Sequence, residues 1–149
     1  VRAGANVHAT NNEGLTPLHV SAHVGLVELC EMLVGAGANV RAAKIDGSTP
    51  LHISADSGHV KVCQMLAEAG ANVNATNVDG CTPLHESARM GHKDVCQVLV
   101  RSGANVGARS NTGMTPLDLA MDKGFSTVVA LLQSESEPLT KSAAQGGAI

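Results

Sequence analysis

One tetrapeptide, repeated at a fixed interval, sets the register of the whole chain. Thr-Pro-Leu-His begins at Thr16, Thr49 and Thr82, and Thr-Pro-Leu-Asp begins at Thr115, in steps of 33 residues. Gly-Ala-Asn falls at Gly4, Gly37, Gly70 and Gly103 with the same interval. Two further glycine series, Gly14/Gly47/Gly80/Gly113 and Gly25/Gly58/Gly91/Gly124, keep it without a single insertion. A unit this small persists by stacking on like neighbours, so the period selects a solenoid.

Local signals within the period specify helices. Thr16, Thr49, Thr82 and Thr115 each stand where an N-cap belongs, and each is followed by Pro at the first helical position, where a missing N–H costs nothing. The first helices are expected at Pro17 to Val24, Pro50 to Ser57, Pro83 to Met90 and Pro116 to Lys123. Each is closed by a glycine of the Gly25 series, suited to a left-handed C-terminal residue. A second helix follows with apolar residues at i, i+1, i+3 and i+4: Leu29, Cys30, Met32 and Leu33, then Val62, Cys63, Met65 and Leu66. Val95, Cys96, Val98 and Leu99, then Val128, Val129, Leu131 and Leu132, continue the pattern. That spacing puts one apolar stripe on each helix, and Gly37, Gly70 and Gly103 are expected to stop the first three. Helices of about eight to ten residues are marginal alone in water, so their stability must come from stacking.

With these motifs the chain resembles the ankyrin-repeat family over about Val1 to Leu132. The resemblance implies an all-α solenoid of stacked helix-turn-helix units joined by β-hairpin-like turns. The expected domain is 1–135, with full repeats at 11–43, 44–76 and 77–109 and a C-terminal repeat at 110–135. Residues 1–10 read as the end of a truncated repeat whose helices precede Val1. That would leave Leu18, Val20, Leu26 and Leu29 on an uncapped inner face open to self-association. In the last repeat Asp118 replaces the histidine and Ser136 stands in the Gly37 series, as at the end of a stack. The stretch 136–149, rich in Ser, Ala, Gly and Gln, reads as a mobile tail.

Composition removes several functions. Aromatic residues are 1% of the chain, with Phe125 alone and no Trp or Tyr, so base-stacking nucleic-acid modules are excluded. A net charge of −3 with pI near 6.1 argues against a polybasic nucleic-acid or membrane surface. No run approaches the ~20 apolar residues of a spanning helix, so no membrane insertion is expected. Four cysteines in 149 residues are too few for a disulfide scaffold and suit a reducing compartment, cytoplasmic or nuclear.

The remaining reactive side chains read as structural. The resemblance implies that His19, His52 and His85 tie turn backbones to the motif threonine. His59 with Cys63, and His92 with Cys96, could each offer two zinc ligands. A zinc site needs four converging ligands, and stacked helices lie ~8–10 Å apart, so the pairs cannot close on one ion. Cys30, Cys63 and Cys96 read as buried hydrophobes, and Cys81, at the edge of a turn, as the one quickly labelled thiol. No converging nucleophile, base and orienting group, no Gly-rich phosphate loop and no cofactor motif appears; no enzyme activity and no cofactor are expected. Asn74 in Val73-Asn74-Ala75 resembles the asparagine that a dioxygenase hydroxylates in many ankyrin repeats.

Function is therefore expected on the surface, as a protein–protein interaction module within a larger intracellular protein. The alternative is the substrate-recognition or regulatory arm of an enzyme, such as a ubiquitin ligase or transferase, whose catalytic domain lies elsewhere. The resemblance implies that partners contact the hairpin tips and the exposed side of the first helices, which line a concave groove. Matching positions are Glu13, Leu15, His23 and Val24, then Ile45, Asp46, Ser48 and Asp56. Val78, Asp79, Cys81, Glu86, Arg89 and Met90 follow, and then Met114 and Asp122. Seven of the thirteen acids (Glu13, Asp46, Asp56, Asp79, Glu86, Asp118 and Asp122) fall on this strip, against four of the ten bases (Lys44, Arg89, Arg109 and Lys123). An acidic groove with apolar anchors suits a protein or peptide carrying basic and hydrophobic residues.

Overall fold

A computed structural model describes residues 6–136. Its element order is α1 (Pro17–Val24), α2 (Val27–Gly35), α3 (Pro50–Ser57), α4 (Val60–Glu68), α5 (Pro83–Met90), α6 (Lys93–Arg101), α7 (Pro116–Lys123) and α8 (Ser126–Ser136). The odd-numbered helices form one row, α1 against α3, α3 against α5 and α5 against α7; the even-numbered helices form a second row behind it. The core lies between the rows and is built from small and aliphatic side chains, among them Leu18, Leu51, Leu66, Leu84 and Leu99, all fully buried. Among the described residues the chain is all-α.

The first helix of each pair starts and stops on its own sequence signals. Thr16, Thr49, Thr82 and Thr115 are extended N-caps whose side chains accept the N–H three residues on, with Pro at the first helical position. Gly25 and Gly58 then turn the chain at φ +88° and +81°. Their missing Cβ matters a second time, because a methyl there would lie 2.6 Å from the His59 ring and 2.7 Å from the His92 ring. Gly91 is covered in the same way by Phe125. Each ring thus locks one pair onto the last.

Boundaries of the second helices differ by a residue or two from the sequence expectation. Helix α2 ends at Gly35 with Ala36 as its cap, and Gly37 follows at φ +97°. Helix α8 runs through Ser136, so the expected start of the tail falls inside a helix. The rest of that tail, 137–149, lies outside the described residues, as do residues 1–5. Not every member of the apolar stripe is buried: Met32 is half exposed. The uncapped face expected in the first repeat is also smaller than its sequence suggested. Leu18 is fully buried and Leu29 half-buried, because α2 and α3 close over α1; Val20 and Leu26 are the two left exposed.

The connections are hydrogen-bonded turns without strand pairing among the described residues. Within each turn two backbone bonds close the tip: Lys44 N–H to the Ser48 carbonyl at 3.0 Å with Gly47 N–H to the Lys44 carbonyl at 2.8 Å, and Asn77 N–H to the Cys81 carbonyl at 3.0 Å with Gly80 N–H to the Asn77 carbonyl at 2.9 Å. Neighbouring tips are joined by Ile45 N–H to the Glu13 carbonyl (2.8 Å), Val78 N–H to the Asp46 carbonyl (2.8 Å) and Asn111 N–H to the Asp79 carbonyl (2.9 Å). This ladder holds the tips in line beside the odd-numbered helices.

Candidate protein-interaction face

Three imidazoles fasten the turns to that row. Thr16 N–H donates to His19 Nδ1 at 3.0 Å, and Thr49 and Thr82 do the same to His52 and His85 at 3.1 and 3.0 Å. Across the repeat, His19 Nε2 lies 3.1 Å from the Ser48 carbonyl, His52 Nε2 2.9 Å from that of Cys81, and His85 Nε2 2.8 Å from that of Met114. A backbone N–H can only donate and a carbonyl can only accept, so each ring is neutral with its proton on Nε2. Burial pushes all three imidazoles below the ordinary value of 6.5. Asp118 takes the same place in α7, where its carboxylate accepts Thr115 N–H at 2.9 Å; those bonds to Thr115 hold it below the usual carboxylate range.

His59, His92 and the helix cysteines are also engaged. His59 Nε2 donates to the His23 carbonyl at 2.9 Å and His92 Nε2 to the Asp56 carbonyl at 3.0 Å, so each ring caps the helix behind it. Cys30, Cys63 and Cys96 lie 3.1–3.2 Å from the hydroxyls of Ser21, Ser54 and Ser87. Those hydroxyls already donate to the carbonyls of Leu18, Leu51 and Leu84, so the thiols are the donors. Burial pushes Cys63 and Cys96 up to about 11.

In front of the row lies a cleft of about 420 Å³, lined by side chains of the first three helix pairs. Leu15, Val20 and Ile53 supply apolar wall; Lys44, Asp46, Asp56, Glu86 and Arg89 supply charge. Lys44 Nζ donates to Asp46 Oδ2 at 2.9 Å, while Arg89 joins Asp56 (3.2 Å) to Glu86. Three carboxylates against two cations leave the cleft with one uncompensated negative charge. The Glu86 side chain is only 12% exposed, and burial pushes its carboxyl up despite Arg89 beside it.

A family model for ankyrin repeats (three copies) matches residues 1–77, and a second one (many copies) matches residues 55–100. The chain belongs to the ankyrin-repeat family. Ankyrin repeats are generally protein–protein interaction modules and typically non-catalytic. No curated protein matches the chain. No helix among the described residues is long and apolar enough to cross a membrane.

The ankyrin fold distributes the partner-binding residues expected from sequence over three environments. Glu13, Ile45, Val78 and Asp79 stand exposed at the hairpin tips, with Ile45 78% and Val78 62% accessible. His23, Val24, Arg89, Met90 and Asp122 are exposed near the ends of the first helices. Leu15, Asp46, Asp56, Cys81, Glu86 and Met114 are half-buried between the two. Ser48 is buried yet lines the cleft: its N–H donates to Asp46 Oδ1 at 2.9 Å and its carbonyl receives His19.

One correction concerns reactivity. Cys81 is half-buried and burial pushes its thiol up, with Glu86 and Asp79 adding to the effect, so it is open but not activated. On the strip, Asp118 caps α7 and stays ionised, and Asp46, Asp56 and Glu86 pair with Lys44 and Arg89, so pairing orders the charges and leaves their net sign negative. Asn74 is exposed, and both ends of its amide reach the next turn: Nδ2 donates to the Gly103 carbonyl at 3.2 Å and Oδ1 accepts Asn105 N–H at 2.7 Å.

Sequence reasoning missed Val20 and Ile53 as wall residues of the cleft. The signal was present in the period. The residue after the motif histidine or aspartate reads Val20, Ile53, Glu86 and Leu119, a column that no helix cap or turn requires.

Proposed function

We propose that this face binds a partner protein or peptide, laid across the hairpin tips and the exposed sides of α1, α3, α5 and α7. The observation that carries the reading is the row of apolar side chains the fold does not use. Val24, Ile45, Val78 and Met90 are between 46% and 78% exposed, at the hairpin tips and at the ends of α1 and α5. Apolar anchors of this kind supply affinity when a partner covers them, and the net negative charge beside them selects basic residues in that partner.

The test uses side chains whose truncation spares the core. Ile45→Ala, Val78→Ala and Met90→Ala together should weaken binding to proteins captured by the wild-type chain about tenfold or more. The circular-dichroism melting curve should stay in place. Leu15 and Met114 are poorer choices, because both are half-buried. Parallel loss of binding and of melting temperature, or unchanged binding, would overturn the assignment.

A further inference from the structure

Glu86 breaks an aliphatic column. Val20 and Ile53 precede it and Leu119 follows it at the same register, and the first two line the cleft with it. A carboxylate set among aliphatic side chains and shielded from water is costly unless a cation answers it. Arg89 answers only in part, because the same guanidinium is shared with Asp56. Lys44, the other cation of the cleft, is engaged by Asp46.

We propose that Asp56 and Glu86 form the seat for a single Lys or Arg side chain of the partner segment, with an aliphatic side chain of the same segment against Val20 and Ile53. The inference rests on the groove reading above and narrows it to one position and one charge. It also fixes a spacing. Neighbouring helices in such a row stand ~8–10 Å apart, a distance matched by one turn of a polyproline II segment, three residues at ~3.1 Å each, which brings the third side chain back to the same face. The aliphatic and cationic residues of the partner therefore lie about three positions apart. The incoming cation completes the charge balance of two carboxylates and two cations, with Arg89 retained beside it.

Random peptides of about twelve residues, displayed on phage, are long enough when extended to cross all four first helices. Peptides selected on the full chain should carry Lys or Arg three residues from an aliphatic side chain. Synthetic versions should bind Glu86→Leu about tenfold more weakly than wild type. Replacing the peptide's cation by norleucine should cost as much on wild type and nothing further on Glu86→Leu. Leucine already stands at this register as Leu119, so the variant should keep the wild-type melting curve; Asp56→Asn, at a more exposed carboxylate, provides an independent second variant with the same expected loss. Peptides that lose binding to an Ile45→Asp, Val78→Asp variant but ignore Glu86→Leu and Asp56→Asn would overturn the seat and leave the groove standing. If no peptide is recovered, or if those recovered ignore every one of these substitutions, the groove reading falls and the seat with it.

Discussion

Mild acid should loosen this stack through three buried rings. His19, His52 and His85 are at most 2% exposed, and each accepts a threonine N–H at Nδ1 while donating from Nε2 to the next turn. Protonation would put a second N–H on Nδ1, facing a donor, and would place a charge in the core. The folded pKa values accordingly lie below 6.5, whereas the unfolded rings titrate at about that value. Between the two, the unfolded chain binds more protons, so stability is fully present above about pH 6.5 and is lost as pH falls through the window below it. The limiting slope is about 1.4 kcal/mol per pH unit for each ring, or about 4 kcal/mol for three. From about pH 7 to about pH 5.5 the loss approaches 4 kcal/mol if all three rings stay neutral in the fold. That is a large share of the ~5–15 kcal/mol that holds a typical domain. Urea unfolding followed by far-ultraviolet circular dichroism measures it, since the chain has no Trp for fluorescence. Glu86, raised by burial, acts in the opposite sense on acidification, and a Glu86→Leu background removes it. His52→Asn, whose amide oxygen can accept the Thr49 N–H without burying a charge, should lower the slope by about a third while costing about 1–3 kcal/mol for the lost cross-repeat bond to the Cys81 carbonyl. A midpoint that stays flat or rises on acidification, or a His52→Asn slope equal to wild type, would refute the tautomer assignment.

Two further outcomes test the packing. Leu66→Ala, at a fully buried position in α4, should cost about 2–5 kcal/mol in denaturant unfolding, and coincident midpoints would show that Leu66 is not in the core. In the native protein Cys81 should react first with a disulfide-exchange reagent, yet more slowly than a peptide thiol. Cys30, Cys63 and Cys96, all fully buried, should react only as the stack opens, and simultaneous labelling of all four would contradict their burial.

Helix existence and the first-helix boundaries were legible in the sequence because the rules behind them act over four residues or fewer. A threonine cap, a proline at the first position and a glycine able to take positive φ stop and start a helix whatever surrounds it. The period then told which units repeat and that they must stack. How the groove charges pair was not legible for the opposite reason. Counting acids along the strip could not show that Asp118 turns inward to its own threonine, or that Arg89 reaches back 33 residues to Asp56.

What the sequence determined by itself is therefore the unit: two short helices, their caps, and the interval at which they recur. Tertiary structure decided everything that passes between units, because the partners lie 29 to 36 residues apart and meet only when one pair packs on the next. His19 reaches the Ser48 carbonyl, His59 reaches that of His23, and Asn74 reaches that of Gly103 by this route. The same stacking buries Ser48, leaves Ile45 and Val78 in the open, and draws Glu86 out of water into a wall of aliphatic side chains. A carboxylate in a helix reads as solvated until the neighbouring helices are placed beside it.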